Sequence, residues 1–132
     1  MISRVYGILP VWTIFTEKFL PQGRAGQCYG IFNVIKPASR GDKGIIEHEL
    51  VHSRQWYRGL GVFHWLRYKY SWAYRYRAEL QAYAVQLTHY DEFSVSRMML
   101  FAKYISETYD LRIKYDLAFS DLMIEYERIS DD

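Results

Sequence analysis

His48, Glu49 and His52 form an H-E-x-x-H pattern whose residue types and spacing suit metal chemistry. Four-residue spacing on a helix sets two imidazoles a turn apart on one face, where two ring nitrogens can meet one ion. Glu49 follows His48 about 100° round the helix. From there its carboxylate can reach a water on the ion while staying outside the ligand set, which is the position of a general base. With 4 His and 8 Glu among 132 residues, the pattern arises in roughly 0.7% of shuffled chains, so its setting must decide between a site and a surface helix with two incidental histidines.

A catalytic zinc takes three protein ligands and keeps a fourth position for water. Arg58 stands where the extended H-E-x-x-H-x-x-G-x-x-H pattern needs its third histidine, and Gln55 where it needs glycine, so the metzincin version is excluded. Glu79 lies 27 residues after His52 on the next long helical segment. That is enough chain for a tight loop and an antiparallel return, and Glu79 is the favoured third ligand. His64 and His89 are its rivals. His64 follows the motif helix by a few residues and sits among aromatics, whereas His89 is rotated about 80° off the face that carries Glu79. The single cysteine, Cys28, rules out an intramolecular disulfide and a thiolate cluster, so a metal here must use imidazole and carboxylate. Zn2+ is the expected ion, and a reducing, cytoplasmic setting is the expected location.

The elements that must position these residues follow from glycine, proline and hydrophobic spacing. All eight glycines and all three prolines lie between Gly7 and Gly61, which predicts a helical second half. Before Pro37, the segments Arg4 to Ile8, Val11 to Phe15 and Tyr29 to Ile35 are rich in β-branched and aromatic residues and read as short strands of a small sheet. Asp42 can cap a helix from Gly44 to Tyr57 that Gly59 and Gly61 would end. Apolar residues at Trp72, Tyr76, Leu80, Tyr83, Ala84 and Leu87 predict a helix from Ser71 to about Tyr90. Ser94 can cap a third, and Leu111 to Ile129 continues in helical spacing. The expected fold is therefore α+β, one domain over residues 1–132, with a small N-terminal sheet packed on the motif helix and a helical C-terminal half.

Residues 45–83, which contain IIEHELVHSRQWYR and RAELQAY, resemble a minimal gluzincin, the thermolysin-like class of zinc metallopeptidases with a zincin-like fold. The resemblance implies His48, His52 and Glu79 as ligands, Glu49 as base, a peptide or protein as substrate, and a strand above the motif helix that pairs with it. Tyr29 to Ile35 is the matching strand. Four residues after the ligand Glu, larger members often carry an Asp that orients a ligand histidine; here the residue is Tyr83. Tyr83 shares a helical face with Glu79 and is the first choice for a hydroxyl that stabilises the oxyanion of peptide hydrolysis, ahead of Tyr76 and Arg75.

The charge pattern carries the competing reading. Net charge is only +2, which gives no global argument for nucleic acid or membrane. Between Leu50 and Ala78, however, there is no acidic residue, and Arg54, Arg58, Arg67, Lys69, Arg75 and Arg77 alternate with aromatics. Segment 54–77 could thus serve a non-catalytic zinc-binding or nucleic-acid-binding accessory module. The last 26 residues hold 8 acids and 3 bases, so internal pairing is the expected use of the cations and nucleic acid is not the expected partner. The apolar run from Val5 to Phe15 is interrupted by Pro10 and too short to span a bilayer. No membrane span is expected, and nothing in the pattern sets the oligomeric state.

Overall fold

The computed structural model describes residues 1–131, which fold as two compact units, Met1–Trp65 and a second from Leu66 onward. The architecture is α+β, with one small mixed sheet and five α-helices among the described residues.

The first unit holds a four-stranded sheet of β1 (Ile2–Val5), β2 (Leu9–Phe15), β3 (Gly26–Tyr29) and β4 (Phe32–Ile35) in the order β1-β2-β4-β3. β1 and β2 form an antiparallel hairpin with Ile2 opposite Trp12; β2 and β4 run parallel with Thr13 beside Asn33. β3 returns antiparallel to β4, Gly26 opposite Ile35, and is left as an edge. The expected single strand from Tyr29 to Ile35 is therefore a hairpin. Gly30 turns it, with φ of +82° at the first corner of a two-residue loop, a conformation that selects glycine. A side chain at Gly30 would also drive its Cβ to 2.8 Å from the Trp56 ring. A short 3-10 turn, Pro37–Ser39, leads to α1 (Lys43–Arg58). Asp42 caps α1 by accepting from the Ile45 amide at 3.2 Å, and Gly59 closes it, as the sequence predicts.

The sheet packs on α1 through a small apolar cluster of Val5, Val11 and Leu50, with Leu9, Ile46 and Tyr57 at its margin. Beside this cluster the contact is polar. Ser53, fully buried on α1, donates to the Gly30 carbonyl at 2.8 Å and lies 3.1 Å from Asn33 Oδ1. The Tyr57 hydroxyl donates to the Pro10 carbonyl at 2.7 Å. These bonds fix the rotation of α1 over the sheet and hence the direction of the motif residues.

A helix absent from the sequence expectations, α2 (Val62–Tyr70), follows α1 after the cap Gly59 and a bend in which Leu60 and Gly61 take positive φ. α3 (Trp72–Thr88) and α4 (Val95–Thr108) begin at Ser71 and Ser94, each accepting from an amide three residues on. α5 (Tyr115–Ser130) starts later than expected because Asp110 and Arg112 both take positive φ and break the chain between the helices. In this second unit, α3, α4 and α5 enclose an apolar cluster that includes Leu80, Leu87, Met98, Phe101, Ile105 and Leu122. Arg75 ties the connections down, donating to the carbonyls of Tyr68 at 2.7 Å, Tyr109 at 2.9 Å and Asp110 at 3.3 Å.

Candidate metal centre

α1 holds the motif. His48 and Glu49 are each only 6% exposed, and the ring centroids of His48 and His52 stand 5.0 Å apart, edge to face. One turn of helix thus delivers the two imidazoles to one place. His52 is oriented by a neighbour: its Nδ1 lies 2.9 Å from Gln55 Oε1, an amide oxygen that can only accept. With that oxygen as acceptor, His52 Nδ1 is the donor, and Nε2 is the ring atom that could serve as a ligand. Gln55 therefore fills a role that the sequence assigns to nothing.

Glu49 extends beside His48, its Oε1 3.8 Å from the His48 Nε2. Its side chain fits there because β3 presents Gly26 to it. A Cβ at Gly26 would lie 3.2 Å from the Glu49 Cγ and 3.0 Å from the Ile35 Cδ1, tighter than most real contacts. The sheet edge and the carboxylate are consequently neighbours.

Glu79 stands on α3 and is 1% exposed. The Tyr68 hydroxyl donates to its Oε2 at 2.5 Å. A carboxylate buried this far is costly unless it is hydrogen-bonded and neutralised by a cation or a metal. Among the described residues, His48, His52 and Glu79 each offer one ligand atom, and this His/His/Glu group could hold a metal ion. The donor set of two imidazoles and one carboxylate matches the three-ligand pattern of a divalent site with an open position.

His64 is buried in α2, and His89 ends α3 with its Nδ1 2.9 Å from the Val85 carbonyl; neither belongs to the group. Tyr83 sits in the apolar cluster of the second unit, against Phe101, with its hydroxyl 2.6 Å from that of Tyr109. Tyr76 is likewise held: burial raises its pKa above the ordinary phenol value, with a further rise from the 2.6 Å bond to Asp121. Arg75 spends its guanidinium on backbone carbonyls. Gln55 and Tyr68 are the hydrogen-bond neighbours of His52 and Glu79 that sequence reasoning missed. Gln55, three residues after His52 on one helix, had a local signal in that spacing; Tyr68, 11 residues before Glu79, had none.

No known protein family, curated protein or solved structure matches the chain.

Proposed function

We propose that this chain is a zinc-dependent peptidase of gluzincin type, with a zincin-like arrangement of sheet edge and motif helix. The reading is carried by one observation: His48, His52 and Glu79 make a possible ligand set, with the Glu49 carboxylate 3.8 Å from His48 Nε2 on the same helix turn. Bound zinc would supply Lewis acidity toward a peptide carbonyl and toward water. Glu49 accepts a proton from the attacking water and passes it to the leaving amine. Gln55 and Tyr68 hold His52 and Glu79 in orientation through the hydrogen bonds described above. The edge strand β3, whose Gly26 abuts Glu49, takes the substrate-pairing role in place of the longer segment from Tyr29 to Ile35.

The test is Glu49→Gln, compared with wild type on a broad peptide library at matched metal content. The amide keeps the shape but cannot take the proton, so hydrolysis should fall by about 100-fold or more with metal and fold retained. Equal hydrolysis by the two proteins excludes Glu49 as the base. A wild type that binds metal yet cleaves nothing replaces this proposal with the accessory-module reading, in which the metal is structural.

A further inference from the structure

The helix α2 turns His64 and Tyr68 inward and its apolar residues outward, the reverse of the apolar-inward pattern of an ordinary surface helix. His64 is buried and Tyr68 reaches Glu79, whereas Val62 is 66%, Phe63 59% and Tyr70 75% exposed, with Leu66 also exposed. At about 100° per residue, Val62, Leu66, Tyr70 and Phe63 span a single sector of roughly 100°, with Arg67 beyond one border and Lys69 beyond the other. Trp65 continues the Lys69 side, 46% exposed. The preceding bend adds Leu60, which is 73% exposed and held at φ of +62°. Leucine gains nothing from burial there, and left-handed backbone disfavours it, so neither the fold nor the turn explains its presence.

We propose that α2 and the Leu60 bend form a docking face that inserts into the interfacial region of an anionic lipid bilayer. Charge complementarity selects this occupant. The stretch from Leu50 to Ala78 carries no carboxylate of its own, and Arg67 and Lys69 flank the apolar sector where their charged ends can rise to lipid phosphates while their stems stay on the apolar side. Tryptophan and tyrosine at the borders suit the headgroup level. Among the described residues no helix is long and apolar enough to cross a membrane, and α2, nine residues long, would lie in the interface plane. A protein partner would fit less well, because lysine is depleted from protein interfaces. This surface is separate from the metal proposal, as none of its residues belongs to the His/His/Glu group.

The experiment is co-sedimentation of the full chain with vesicles of phosphatidylcholine containing about one-third phosphatidylserine, and with phosphatidylcholine alone. The wild type should partition onto the anionic vesicles about tenfold or more strongly than onto neutral ones, and lose that preference at high salt. Phe63→Glu with Leu66→Glu should abolish partition; Arg67→Glu with Lys69→Glu, which leaves the apolar sector intact, should remove the anionic preference. Circular dichroism should be unchanged in both. Lys103→Glu, one such charge reversal at an exposed site on α4, should have no effect. Absence of wild-type partition overturns the proposal, as does an equal loss in Lys103→Glu. A concentration-dependent dimer that Leu66→Glu dissolves, without vesicle binding, assigns the face to self-association instead and overturns it too. So does binding of single-stranded RNA through Arg67 and Lys69 when vesicles are ignored.

Discussion

The two units bury different kinds of side chain. From Leu66 onward the interior is an apolar cluster drawn from three helices, and its buried polar residues are Glu79 and Gln86. The unit Met1–Trp65 has a far smaller apolar cluster, yet it buries Thr13, Asn33, His48, Glu49, Ser53 and His64. Burying apolar surface stabilises at about 25 cal/mol per Å2, whereas burying an imidazole or carboxylate costs stability unless it is partnered. The helical unit therefore rests on apolar burial, whereas the sheet unit buries many polar groups, such as Ser53 and Asn33, that are tolerated only when hydrogen-bonded.

The contrast is sharpest in substitutions that remove atoms. Leu122, fully buried among α3, α4 and α5, should lose about 2–5 kcal/mol on change to alanine, because the cavity forfeits both transfer energy and packing. Urea unfolding would measure it. Val11 and Leu50 belong to a cluster with fewer partners, so truncation there should cost toward the low end of that range or below it. Equal losses in the two units would break the comparison.

Ser53→Ala tests the polar side of the same contrast. The change makes a buried residue more apolar, but it strips the Gly30 carbonyl and Asn33 of a partner and should destabilise by about 1–3 kcal/mol. A neutral or stabilising result in urea unfolding would mean that the polar contact between α1 and the β3–β4 hairpin is not specifying its geometry.

The smallest effect concerns alkaline pH. Burial and Asp121 raise the pKa of Tyr76, so the folded state keeps a proton that the unfolded state releases near pH 10. The stabilisation is complete below that pH and declines as pH rises above it. A fluorescence-monitored unfolding series from pH 8 to about 11 should show the decline in wild type and a shallower one in Tyr76→Phe. Identical slopes would remove Tyr76 from the account.

What was legible in the sequence had local causes. Asp42, Ser71 and Ser94 announce their helices because a capping oxygen needs only an amide two or three residues on. The two histidines and Glu49 were legible because helix periodicity alone sets their angles. The β3–β4 hairpin was lost inside an apolar run that passes through Gly30, although that glycine marks the turn. α2 was missed because its exposed apolar face defeats the usual inside-outside pattern, and the delay before α5 because Asp110 and Arg112 adopt backbone angles that their identities do not require. The hydrogen bond from Tyr68 to Glu79 depends on tertiary placement and leaves no periodic trace.

Elemental analysis of the purified chain and its single-residue variants tests the central assignment most directly. Wild type should carry about one equivalent of a divalent metal, zinc in preference, and His48→Ala, His52→Ala and Glu79→Ala should each lose it, whereas His64→Ala and His89→Ala should retain it. Full occupancy in Glu79→Ala, or loss of the metal in His64→Ala or His89→Ala with the fold intact, would contradict the His48, His52 and Glu79 ligand set.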